Sequence, residues 1–126
     1  MSEAPIHSYA KKRLQILEAQ GKCVFYHVPN GLPRSNKYAA MLKNMGARNG
    51  VADFCIVIKG GRAAFMELKA PKGTQSNDQL RFQAECEKLG ALYGVASTPE
   101  EVEELIRDIE RISSEAGQVT PAEDTA

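Results

Sequence analysis

Asp53, Glu67 and Lys69 stand at or inside two apolar runs, residues 54–58 and 63–68, that would otherwise carry no charge. Glu67 and Lys69 are two positions apart, so on an extended strand both project from one face. A buried carboxylate is costly unless a cation or a donor balances it, and two of them converging near strand ends ask for a metal ion. Oxygen ligands of this kind suit Mg²⁺ or Mn²⁺. The chemistry open to such a centre is hydrolysis of a phosphodiester. Negative charge builds on the phosphorane-like transition state and the leaving oxygen, and a carboxylate-held divalent ion stabilises both while activating a water. Lys69 can orient that water or neutralise the phosphate. An isolated Glu-x-Lys on an edge strand has no such meaning, so the surrounding elements decide.

The two runs are separated by Lys59-Gly60-Gly61-Arg62, which reads as a β-hairpin. Both are apolar on both faces, which predicts central strands covered on each side. Their register tests the shared site. A strict two-residue tip, Gly60-Gly61, would put Asp53 opposite Leu68 and turn its side chain away from Glu67. A three-residue tip, Lys59-Gly60-Gly61, pairs Ile58 with Arg62 and sets Asp53 across from Glu67. Glycine at the third tip position is what a bulged hairpin of that length wants, so the bulged turn is expected.

Around the hairpin, residues 8–20 place Tyr9, Leu14, Ile16 and Leu17 at helical spacing before Gly21. Residues 23–28 read as a strand ended by Pro29-Asn30-Gly31-Leu32-Pro33, and residues 37–45 as a short helix with Ala40, Met41 and Met45 on its apolar side. After Pro71-Lys72-Gly73, residues 76–89 form a helix whose Ser76 and Gln79 match a capping box. A last strand, 92–96, leads to a helix over about 100–113, N-capped by Thr98 or Ser97, with Val102, Leu105, Ile106, Ile109 and Ile112 as its buried stripe.

At 126 residues and 43% hydrophobic content the chain fits one globular domain, expected over 1–113, with 114–126 a disordered acidic tail. No apolar run approaches the ~20 residues of a membrane helix, and residues 1–9 lack the order of a secretory signal, so a cytoplasmic protein with no membrane contact is expected. Cys23, Cys55 and Cys86 are odd in number and widely spaced, which implies buried or half-buried thiols rather than disulfides or a zinc site. The zero net charge hides an asymmetry: residues 1–98 hold 14 basic and 7 acidic side chains, residues 99–126 hold 2 and 9. A cationic body attracts a polyanion and an acidic segment limits indiscriminate sticking, although on charge alone a solvated acidic helix beside an ordinary basic surface explains the count better.

The order of parts goes beyond the tripeptide. Gly50-Val51-Ala52-Asp53-Phe54, a glycine hairpin, Phe65-Met66-Glu67-Leu68-Lys69, then Gly73 and a helix opening Ser76-Asn77-Asp78-Gln79 together resemble the VRR-Nuc family of PD-(D/E)XK nucleases, over roughly residues 8–106. The resemblance implies an α/β fold with a restriction-endonuclease-like αβββαβ core, a mixed central sheet flanked by helices, and divalent-cation-dependent cleavage of DNA. It implies Asp53 and Glu67 as metal ligands with the Leu68 carbonyl as a further one, Lys69 as catalytic, and Gln79 as a residue supporting the site. Stand-alone members, from phages and bacteria, resemble enzymes that act on branched DNA such as four-way junctions and tend to form homodimers. Two departures stand out. Ala52 replaces the usual proline before the first aspartate, and the first helix carries Ile6-His7-Ser8-Tyr9 where many members have a metal-binding glutamate, leaving His7 nearby and fewer protein ligands.

Basic residues offer phosphate contacts: Lys11, Lys12 and Arg13 on the first helix, Arg34, Lys37, Lys43 and Arg48 before Asp53, and Lys72 and Arg81 flanking the second hairpin strand and its helix. Arg34, Lys37, Arg48, Lys72 and Arg81 are the substrate-binding candidates, whereas a solvated helix face accounts for Lys11–Arg13 about as well. His27, Tyr26 and Tyr38 read first as structural. The rival to a nuclease is a non-catalytic nucleic-acid-binding module or a subunit of a larger DNA-processing complex. Two carboxylates in a phosphate site repel the ligand, which disfavours a pure binding role.

Overall fold

The computed structural model describes residues 4–29 and 36–118. Along the chain run α1 (Ala4–Ala19), β1 (Cys23–His27), α2 (Asn36–Asn44), β2 (Phe54–Ile58), β3 (Ala63–Leu68), α3 (Asn77–Lys88), β4 (Leu92–Ala96) and α4 (Pro99–Gln118). The strands form one sheet in the order β1-β2-β3-β4, antiparallel at the first two pairings and parallel at the third. A parallel pair needs a crossover, and α3 supplies it.

The β2–β3 hairpin occupies the centre, as its apolar character predicts. Phe54, Ile56 and Ile58 of β2 and Ala64, Met66 and Leu68 of β3 point to one face, where Leu14, Leu17, Val102, Ile106 and Ile109 of α1 and α4 close the core. Each such large side chain gains about 1.5–3 kcal/mol from full burial. Polar contacts pin the two helices together. Glu103 of α4 accepts from Tyr9 at 2.6 Å and from two nitrogens of Arg13 at 2.7 and 3.1 Å, and Lys22 meets Glu110 at 2.9 Å. Part of the acidic charge of α4 therefore holds α1 in place rather than standing free, and Arg13 is taken from the basic cluster by the same contact.

Cover on the second face is only partial, against expectation. Phe82 of α3 packs on Phe65 at 5.4 Å and on Tyr93 at 6.2 Å between ring centres. Beyond them Val24, Tyr26 and Val57 stay 56, 61 and 45% exposed. A helix about 10 Å across covers only about two strands spaced ~4.8 Å apart, so α3 leaves the β1–β2 half open. Tyr26 is thus not a buried packing residue.

Other boundaries also differ. The first helix begins at Ala4, and its inner row is Ile6, Ala10, Leu14 and Leu17, with Ile16 46% exposed. In α2 the inward residues are Ala39 and Leu42, while Ala40, Met41 and Met45 face outward. The stripe of α4 is the expected one and Thr98 caps it, its hydroxyl accepting from the Glu101 N–H at 3.2 Å. The helix, however, runs on to Gln118 through residues expected to be disordered. Ala116 lies on the hairpin tip, where a Cβ on Gly60 would stand 2.7 Å from it, and Arg111 pairs with Glu115 at 3.3 Å. Residues 119–126 of the expected tail lie outside the described residues. All three cysteines are free and half-buried. Among the described residues no helix is long and apolar enough to cross a membrane.

Candidate active site

The hairpin turns with the three-residue tip. Ile58 donates to the Arg62 carbonyl at 2.9 Å and Gly61 to the Ile58 carbonyl at 2.8 Å, with Gly60 and Gly61 at φ 101° and 95°. The paired residues run to Phe54↔Met66, and one step further sets Asp53 opposite Glu67. Directly opposed residues have Cβ atoms about 4.5–5.5 Å apart, within joint reach of one ion. Both side chains are buried, Asp53 at 5% and Glu67 at 0% exposure.

Backbone contacts fix Asp53 from both sides. Its Oδ2 accepts from the Leu68 N–H at 2.6 Å. In a strand the N–H and C=O of one residue point the same way, so the Leu68 carbonyl also faces β2, whereas Lys69 turns its N–H to Ala96 of β4 at 2.9 Å. The Asp53 carbonyl accepts from Val28 N–H at 2.7 Å and lies 2.9 Å from His27 Nδ1. Ahead of Asp53 the chain lies against the start of α3. Gly50 has φ 83°, and a Cβ there would be 2.5 Å from the Asp78 carbonyl carbon, so only glycine allows this approach.

The two oxygens of Glu67 have different surroundings. Oε1 accepts from the Tyr93 hydroxyl at 2.7 Å and from Gln75 Nε2 at 3.4 Å. Oε2 is buried with no hydrogen-bond partner among the described residues, and Lys69 Nζ stands 3.6 Å from it. Lys69 in turn donates to Gln79 Oε1 at 2.6 Å. That same oxygen accepts from the Ser76 N–H at 2.8 Å, and Ser76 Oγ accepts from the Gln79 N–H at 3.2 Å. Gln79 therefore completes the capping box of α3 and holds the Lys69 ammonium with one atom. Burial first, and the bond to Glu67 second, push the Tyr93 hydroxyl far above the usual phenol range, so it remains a donor.

Tyr93 and Gln75 are contacts that the sequence did not disclose. An aromatic within Leu92-Tyr93-Gly94-Val95-Ala96 reads as packing. Its approach to Glu67 becomes visible only with the β3–β4 register, which pairs Phe65 with Tyr93 and Glu67 with Val95.

The peripheral basic residues are dispersed. Arg34, like Asn30, lies outside the described residues. Lys37 is exposed at the start of α2, and Lys72 is exposed in the turn after Lys69. Arg81 pairs with Asp78 of its own helix at 3.7 Å. Arg48 pairs with Glu85 at 3.1 Å and lies 5.5 Å over the Phe82 ring. It borders a cleft of ≈ 560 Å³ lined by Tyr26, Val28, Leu42, Val51, Phe65 and Phe82, on the sheet face that carries the two acids.

His7 packs against His27 at 4.7 Å and Phe54 at 4.9 Å, on the α1 side of the sheet. Glu18 accepts from the Phe25 N–H at 3.1 Å along the edge of β1, away from the site. Among the described residues no group of three or more His, Cys, Asp and Glu is placed to hold an ion. A cation here would draw on two carboxylates, a backbone carbonyl and water. The donor set fits a hard divalent ion, and Glu67 Oε2 is buried without a hydrogen-bond partner among the described residues.

Comparison with protein-family models and with curated proteins finds no match. Among solved structures the chain is similar to one described as a VRR_NUC domain, with a TM-score of 0.60 and 23% identity over 83% of this chain and 94% of that one. The likeness shows the fold: a mixed four-stranded sheet with flanking helices, of the restriction-endonuclease-like kind that the sequence resemblance implied.

Proposed function

We propose that this protein is a divalent-cation-dependent endonuclease that hydrolyses DNA phosphodiesters, with branched DNA such as four-way junctions as its substrate and a homodimer as its working form. The observation that carries the reading is the Glu67 Oε2 atom. It is buried, has no hydrogen bond among the described residues and lies on the Asp53 face with only the Lys69 ammonium near it at 3.6 Å, an arrangement that costs stability and that a divalent cation would complete. The similarity to a VRR_NUC domain supports a nuclease in particular.

In this reading Asp53, Glu67 Oε2 and the Leu68 carbonyl would hold Mg²⁺ or Mn²⁺. Bound there, the ion would supply charge stabilisation at the phosphate and a water of lowered pKa. Lys69, only 16% exposed and hydrogen-bonded to Gln79, would hold the attacking water or a non-bridging phosphate oxygen. Lys72, Arg48, Lys37, Arg34 and Arg81 would track the DNA backbone. Arg48 and Arg81 now meet carboxylates in exposed pairs, which are weak enough to be exchanged for phosphates. A four-way junction has two cleavage positions related by symmetry, which a two-fold dimer matches.

The test incubates wild type and Lys69→Ala with four-way junctions, flaps, forks and linear duplex, each with Mg²⁺, Mn²⁺ or chelator. Cleavage by the wild type alone, on branched substrates and only with metal, is expected. Cutting that persists in chelator would end the metal reading, and binding without cutting under every condition would favour the non-catalytic module.

A further inference from the structure

Tyr93 donates from β4 to a carboxylate oxygen in a region that is otherwise aromatic. Its ring is 6.0 Å from Phe65 and 6.2 Å from Phe82, and a phenylalanine would pack there equally well. The hydroxyl has one hydrogen bond among the described residues, the 2.7 Å contact to Glu67 Oε1. Gln75 reinforces it at 3.4 Å and is itself braced by Gln83 Oε1 at 2.9 Å. These donors come from β4 and from the segment leading into α3, so they brace Glu67 from outside its own hairpin.

We infer that Tyr93 is a positioning residue that occupies Glu67 Oε1 and leaves Oε2 alone to face a divalent cation. This rests on the metal reading above and deepens it. A carboxylate with both oxygens free can rotate and can chelate an ion through two oxygens. One anchored by its first oxygen presents a single oxygen in one direction, which suits the strict octahedral demand of Mg²⁺ and disfavours Ca²⁺, which tolerates bidentate carboxylates. Partners behind a metal ligand commonly govern affinity by about 10–100-fold. Tyr93 also supplies the shorter of the two hydrogen bonds that Glu67 Oε1 accepts.

The experiment measures Mn²⁺ and Ca²⁺ binding by calorimetry, without DNA, for wild type, Tyr93→Phe and Gln75→Ala, together with thermal unfolding in chelator. For Tyr93→Phe, Mn²⁺ affinity should fall about 10–100-fold and Ca²⁺ affinity by clearly less, narrowing the preference. Gln75→Ala, which removes the longer contact from a half-buried loop position, should shift the preference the same way by a smaller factor. Unchanged Mn²⁺ affinity with only a lower Tm would make Tyr93 merely structural and overturn the inference. An equal fall for both ions in both variants would overturn it too, as general loosening of the site. Absence of Mn²⁺ binding by the wild type would instead defeat the metal reading itself.

Discussion

Replacing Glu67 with glutamine isolates the energetic oddity of the site. Glu67 is fully buried, its Oε2 has no hydrogen bond among the described residues, and the Lys69 ammonium stands 3.6 Å from it. A buried polar atom without a partner costs roughly 1–3 kcal/mol, and more when charged. The ammonium offsets part of that. Glutamine keeps an oxygen for Tyr93 and Gln75 and removes the charge, exchanging a charged orphan for a neutral one. In chelator, Glu67→Gln should therefore be at least as stable as wild type, by up to about 1 kcal/mol, or roughly 3–6 °C in Tm for a domain of this size. Mn²⁺ should reverse the order. An ion that binds only the folded state at 100 times its Kd adds about 2.7 kcal/mol, roughly a 10 °C rise for wild type, and should add almost nothing to the variant. Thermal unfolding by circular dichroism in chelator and in a Mn²⁺ series reads both effects. A variant less stable than wild type by more than about 1 kcal/mol in chelator would refute the reasoning, because Glu67 would then be a net stabiliser without any ion.

Lys72 occupies the third position of the turn Ala70–Gly73, closed by a 2.8 Å bond from the Gly73 N–H to the Ala70 carbonyl, at φ 65°, where glycine or asparagine is usual. Lys72→Gly should raise stability by about 1 kcal/mol in urea titrations while weakening DNA binding in low salt, and a variant that binds DNA as wild type does would remove Lys72 from the substrate path. Gly50→Ala should destabilise by at least about 2 kcal/mol, since a left-handed backbone and an overlap with the Asp78 backbone both oppose it; a change under 0.5 kcal/mol would show that the loop before Asp53 moves freely. The hydrogen bonds from Arg13 hold the Glu103 carboxyl below its ordinary range. A depressed carboxyl stabilises the fold fully above its unfolded value and loses that contribution as pH falls through the folded value, so the stability gap between wild type and Glu103→Gln should close as pH falls below the ordinary carboxylate range. A gap independent of pH would exclude the ion pair as its source.

The features legible in the sequence are those set by local geometry. Lys59-Gly60-Gly61 specifies a three-residue tip because two glycines accept the positive φ the turn needs, and that tip alone puts Asp53 opposite Glu67. Ser76 and Gln79 write the capping box into four residues. What escaped was set by partners distant in the chain. The last turns of α4 look polar and unstructured until Ala116 meets Gly60. Outward Met41 and Met45 and inward Leu42 on α2 depend on where that short helix docks, which its own spacing does not encode. Tyr93 belongs to the site only because a parallel pairing lays β4 beside β3.

The most direct measurement is anomalous scattering from a crystal grown with Mn²⁺. A peak is predicted about 2.0–2.3 Å from an Asp53 oxygen, Glu67 Oε2 and the Leu68 carbonyl, with water filling the remaining positions. An ordered site with both carboxylates resolved and no anomalous density between them at saturating Mn²⁺ would contradict the account.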